Sequence, residues 1–87
     1  MLIDFWAPWC EPCVQLSPTI ESIATRYKGQ VIVGKLNIDE LPNIAADYGV
    51  RAIPMMVIIK EGAEAQRIQG VRSEQQIARA LEGLMGG

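Results

Sequence analysis

Hydrophobic positions in this chain alternate between short continuous runs and runs spaced three or four residues apart, and that alternation lays out the elements in order. Leu2-Ile3-Asp4-Phe5-Trp6 is a compact apolar run whose bulky and aromatic side chains suit a buried strand. After Ala7-Pro8-Trp9, the residues Cys13, Leu16, Ile20, Ile23, Ala24 and Tyr27 recur at helical spacing through about Lys28, predicting a helix with one apolar face. Pro12 fits its first turn, where a missing N–H costs nothing. Pro18 lies inside the pattern and predicts a kink, and Gly29 closes the helix. Val31-Ile32-Val33-Gly34-Lys35-Leu36-Asn37-Ile38 reads as a second strand, apolar on both faces at its start. Reached from the first strand through a helix, it argues for a right-handed parallel crossover.

Asp39 is placed to cap a short helix over residues 41–48, with Pro42 in its first turn and Gly49 past its end. Ile44, Ala45 and Tyr48 give this helix a core-facing stripe. Val50-Arg51-Ala52-Ile53-Pro54 then leads into Met55-Met56-Val57-Ile58-Ile59-Lys60, a strand apolar almost throughout. Proline is tolerated at its first position, and the Ile53–Pro54 peptide admits either isomer. Glu61-Gly62 supplies a turn, residues 65–69 return as a less apolar antiparallel edge strand, and Gly70 breaks that strand. Ser73-Glu74-Gln75-Gln76 reads as a capping box. The last helix buries Ile77, Ala80, Leu81 and Leu84 before Gly86-Gly87 ends the sequence.

The order is that of an α/β protein, a four-stranded mixed sheet flanked by three helices, in one domain over residues 1–87. With 87 residues, 49% of them hydrophobic, the chain stands near the lower end of what one core stabilises. A formal net charge of −2 gives no support for binding nucleic acid or an anionic membrane. No apolar run approaches the roughly 20 residues of a membrane span. Met1-Leu2-Ile3-Asp4 lacks the basic and apolar regions of a signal peptide, so the cytoplasm is the expected compartment.

Reactive chemistry concentrates in Trp9-Cys10-Glu11-Pro12-Cys13. A helix that begins at or just after the first cysteine allows the two sulfurs to close a small ring. It also sets Cys10 against free amide N–H groups and the positive end of the helix dipole, which favour its thiolate. Cys10 is then the attacking sulfur and Cys13, one turn further in, the resolving one. Zinc wants about four N or S ligands, and with no histidine and no third cysteine only two chains sharing a metal would complete a site. A purely structural disulfide is a weaker reading, because so short a loop constrains the unfolded chain little. Asp4, the one polar member of its strand, either faces water at a strand end or is buried; its closeness in sequence to the cysteines favours burial with a role. Lys35 is either a solvated lysine or the partner of Asp4 on the neighbouring strand.

Five separated stretches, in order, carry a resemblance to the thioredoxin family. They are Asp4-Phe5-Trp6-Ala7, Trp9-Cys10-Glu11-Pro12-Cys13, Lys35-Leu36-Asn37-Ile38-Asp39, Tyr48-Gly49-Val50-Arg51-Ala52-Ile53-Pro54 and Lys60-Glu61-Gly62. The resemblance implies a thiol:disulfide oxidoreductase that reduces protein disulfides and is itself reduced by a thioredoxin-reductase-like donor, with no cofactor and no metal. Cys10 resembles the exposed nucleophile and Cys13 the buried resolving thiol. Asp4 looks like the buried carboxylate that relays a proton to or from Cys13, with Lys35 as its partner, and Pro54 like the cis-proline facing the disulfide. Trp9, Glu11, Pro12, Ile53, Gly70 and Val71 are implied to line the groove that takes a partner's extended segment. The alternative reading is a scaffold module of the same fold whose groove binds a protein while the thiols stay idle.

Two departures from the family pattern matter. Glu11 stands where the commonest motif has glycine, and its charge beside Cys10 disfavours the thiolate. The usual N-terminal strand and helix are not in this sequence, so the fold is expected to be truncated at its start. Residues 31–38 then form an apolar sheet edge, and self-association as a homodimer through that edge, or low stability as a monomer, is expected.

Overall fold

The computed structural model describes residues 1–85; the Gly86-Gly87 terminus lies outside them. Its elements run β1 (Leu2–Trp6), α1 (Glu11–Arg26), β2 (Val33–Asn37), α2 (Pro42–Asp47), β3 (Met55–Lys60), β4 (Ala63–Gln69) and α3 (Glu74–Leu84). The strands form one mixed sheet in the order β2-β1-β3-β4, with β1 parallel to β2 and antiparallel to β3. The parallel crossover through α1 is therefore as the two-faced apolar strand predicted.

Alternation along the strands divides the core into two layers. Leu2, Met56 and Ile58 face α1 and α3, whose Leu16, Ile20, Ile23, Ile77 and Leu81 complete the larger layer. Phe5, Met55 and Val57 point the other way, against Ala45 of α2, with Tyr48 packed over Phe5 at 5.6 Å between ring centroids. Asp4 is the only charged residue buried in the core among the described residues, and its pleat position turns it toward α1 and α3 together with Leu2.

Several boundaries move relative to the sequence pattern. The second strand is shorter than 31–38, although Leu2 N–H still donates to Ile32 O at 2.8 Å and Ile38 N–H to Trp6 O at 3.0 Å, so pairing extends a residue beyond each end. Helix α1 runs continuously through Pro18 and ends at Arg26, two residues earlier than expected. Helix α2 is confined to six residues, and its N-cap is Leu41, which makes no side-chain cap. Asp39 is thus not the cap. The capping box at Ser73 and Gln76 is formed in both directions, at 3.1 and 3.0 Å. The β3–β4 hairpin turns on Glu61 and Gly62, both at positive φ (54° and 80°), the combination a tight two-residue hairpin requires.

Candidate active site

Cys10 is the N-cap of α1. Its backbone is still extended (φ −91°, ψ 103°), its carbonyl accepts Val14 N–H at 3.1 Å, and its sulfur accepts Cys13 N–H at 3.3 Å. A sulfur in this position takes the role that Ser or Asp oxygens take in ordinary caps. The same donors and the helix dipole favour negative charge on it once the pair is reduced. Pro12 occupies the first turn, where no N–H is missed. In the structure Cys10 and Cys13 are joined as a disulfide, with Cα atoms 5.2 Å apart.

The pair packs with Ala7 beneath Trp6, Ile38 and Ile53. Cys13 is 2% exposed and Cys10 only 6%, so the expected open nucleophile is instead reached through a single face. That face is a groove of about 500 Å³ lined by Trp9, Cys10, Glu11, Pro12, Ile38, Val50, Arg51, Ala52 and Ile53. Four of the six residues assigned from the sequence to substrate contact lie on it. Gly70 and Val71 do not, but Gly70 N–H donates to Pro54 O at 2.9 Å, joining the end of β4 to the cis Ile53–Pro54 peptide. Pro54 itself is buried next to Ile53.

Asp4 is fully buried, and neither carboxylate oxygen has a hydrogen-bond partner among the described residues. Loss of hydration penalises the charged form and raises its pKa from 3.8 to about 6, against a smaller lowering by the Lys35 charge. Asp4 and Lys35 are register partners across β1 and β2. The expected ion pair nevertheless does not close: Lys35 Nζ donates to Ser17 Oγ at 2.6 Å and lies 5.0 Å from the centre of the Trp6 ring. An exposed lysine gains more from a hydroxyl and an aromatic face at the surface than from following a carboxylate into the core, where its own hydration would be lost.

Two contributors escaped the sequence reading. Asp39 accepts the Trp9 indole N–H at 2.9 Å, a link across thirty positions that local patterning does not reveal. Ser17, half-buried on α1, is brought against Lys35 only by the packing of the helix on the sheet.

The thioredoxin family model matches residues 1–83. A thioredoxin from Chlorobaculum thiosulfatiphilum is 46% identical over 86 residues, covering 99% of this chain and 80% of that protein. Thioredoxin 2 from Chlorobaculum tepidum is 47% identical, with 98% and 78% covered. A chloroplastic M-type thioredoxin from Chlamydomonas reinhardtii is 42% identical over 94% of this chain and 59% of its own length. With matches of this extent, and with a Cys10–Cys13 disulfide at the start of α1 whose Cys10 lines a groove, the chain belongs to the thioredoxin family and is a thiol:disulfide oxidoreductase acting through Cys10 and Cys13.

Proposed function

We propose that the protein reduces disulfides in other proteins and is returned to its dithiol form by a thioredoxin-reductase-like donor, in a reducing compartment such as the cytoplasm. The observation that carries this reading is Cys10 as helix cap, lining a groove of about 500 Å³. In the first step the Cys10 thiolate attacks one sulfur of the client disulfide, forming a mixed disulfide and releasing the other client sulfur as thiolate. In the second, Cys13 loses its proton and attacks Cys10 Sγ, which breaks the mixed bond and frees the second client thiolate. Two electrons have then passed to the client, and Cys10–Cys13 is the disulfide seen here.

Cys13 is buried among apolar atoms, where a thiol holds its proton, so the second step needs a base. The chain has no histidine. We assign the role to Asp4, which burial has brought close to neutral pH. Lys35 modulates it through its charge. Trp9, Glu11, Pro12 and Ile53 hold the client segment, Gly70 and Val71 extend that surface beyond the groove, and the buried cis-Pro54 fixes the path of the chain next to Ile53. We also assign the edge of β2 to pairing with a second copy of the chain; the support is a strand edge with no neighbour among the described residues, beside Ile32, which is 68% exposed.

Reduction of insulin by dithiothreitol, followed by turbidity, tests the main reading. The protein should accelerate precipitation strongly and Cys10→Ser should not. Equal curves for the two would point to a binding module with idle thiols.

A further inference from the structure

The buried carboxylate and the lysine opposite it should attract each other, and the structure shows where the lysine goes instead. Ser17 follows Cys13 by four residues on α1, so the two lie on one side of the helix. Asp4 comes to that side from β1 and Lys35 from β2, in register. The Lys35 ammonium is spent on Ser17 Oγ at 2.6 Å and on the Trp6 ring, while both Asp4 oxygens go without a partner among the described residues. We propose that Ser17 is a positioning residue: its hydroxyl holds the Lys35 ammonium away from the Asp4 carboxylate, and so leaves Asp4 able to take up the proton that Cys13 loses. The proposal rests on the assignment of Asp4 as that base.

The consequence is chemical. A carboxylate paired with ammonium is a poor proton acceptor, because the pair stabilises its charged form. One left in an apolar setting with the cation at a distance accepts a proton more readily, and a base works best when its affinity for the proton lies near the working pH. The groups that face Asp4 make the arrangement simple to test. Among the described residues Lys35 on β2 is the charge that bears on it, Cys13 on the buried face of α1 is held in the disulfide, and β3 presents Met56 as its register partner. The buried face of α3 offers Ile77, Ala78 and Leu81, none of them ionisable.

The experiment is a carbon-13 NMR titration of the Asp4 carboxyl in the oxidised protein, for wild type, Ser17→Ala, Ser17→Thr and Lys35→Met. Ser17→Ala is mild for a helix, and releases Lys35 to approach Asp4. Its Asp4 should titrate about one pH unit lower than in wild type, Ser17→Thr should restore the wild-type midpoint, and Lys35→Met should move it upward. An Asp4 midpoint unmoved or raised in Ser17→Ala overturns the proposal. The same variants are then followed through breakdown of a preformed mixed disulfide on Cys10. The acid limb of that step should move with the Asp4 midpoint, and the neutral-pH rate of Ser17→Ala should fall by roughly threefold. A pH profile that ignores the midpoint overturns the part played by proton uptake. Because the titration needs no turnover, its outcome is separate from whether the protein reduces client proteins.

Discussion

Trp9 donates its indole N–H to Asp39 Oδ2 at 2.9 Å, and this bond ties the loop ending at Cys10 to the turn that follows β2. Asp39 is itself set in place, since its N–H donates to Asn37 Oδ1 at 2.9 Å and the neighbouring Ile38 N–H continues the ladder to Trp6. The Trp9 side of the groove is thereby held by β2 rather than by α1. Asp39→Ala should cost only about 0.5–1 kcal/mol of stability, because the bond is exposed. It should raise KM for insulin several-fold while leaving the rate with a small aliphatic disulfide unchanged. Equal losses with both substrates would assign Asp39 to the chemistry instead.

Asp4 makes folding stability depend on pH in a direction opposite to that of most carboxylates. Its folded pKa of about 6 lies above the unfolded value of 3.8, so the folded state binds the proton more tightly. The stability this brings is fully present below the unfolded pKa, and is lost as pH rises through about 6. The difference is worth about 3 kcal/mol. Denaturant titrations should therefore find Asp4→Asn gaining about 3 kcal/mol on wild type between acid and mildly alkaline pH. A gap between the two proteins that does not change with pH would contradict the buried, unpartnered carboxylate.

How much of this was legible in the sequence depends on how locally each feature is specified. The run Met55-Met56-Val57-Ile58-Ile59-Lys60 became β3 without adjustment, and Ser73 with Gln76 formed its capping box, because strand patterning and cap chemistry are settled within a few residues. The cysteine pair at the start of α1 was legible for the same reason. Asp39 was misread as a cap because its true partner, Trp9, is thirty positions away. Lys35 was expected to pair with Asp4, and strand register does place them side by side; the competing hydroxyl of Ser17 enters only through packing of α1 on the sheet. The near-burial of Cys10 was likewise invisible, being the work of Trp6, Ile38 and Ile53 from three separate segments.

Glu11 lies exposed in the first turn of α1, one residue after Cys10, the attacking sulfur of the proposed mechanism. Its charge opposes thiolate formation at Cys10, modestly because water screens it. Replacing it by glycine should lower the Cys10 thiolate midpoint by roughly half a pH unit, read by ultraviolet absorbance of the reduced protein. A midpoint that stays or rises would show that the dipole of α1, not Glu11, sets the local field.

The edge of β2 offers backbone groups beside the exposed Ile32. Sedimentation should find a dimer for wild type, and a monomer for Ile32→Lys, since a lysine on an edge strand resists pairing. A wild-type monomer of ordinary thermal stability would remove the self-association proposal and leave the active site untouched.

In the proposed mechanism Cys10 captures a client sulfur and Cys13 displaces the client. Mass spectrometry of Cys13→Ser after incubation with a disulfide-bonded client measures this directly. A stable one-to-one adduct joined through Cys10 should form, absent from Cys10→Ser and discharged in wild type. An adduct that never forms, or one that forms as readily on Cys13 in Cys10→Ser, would contradict it.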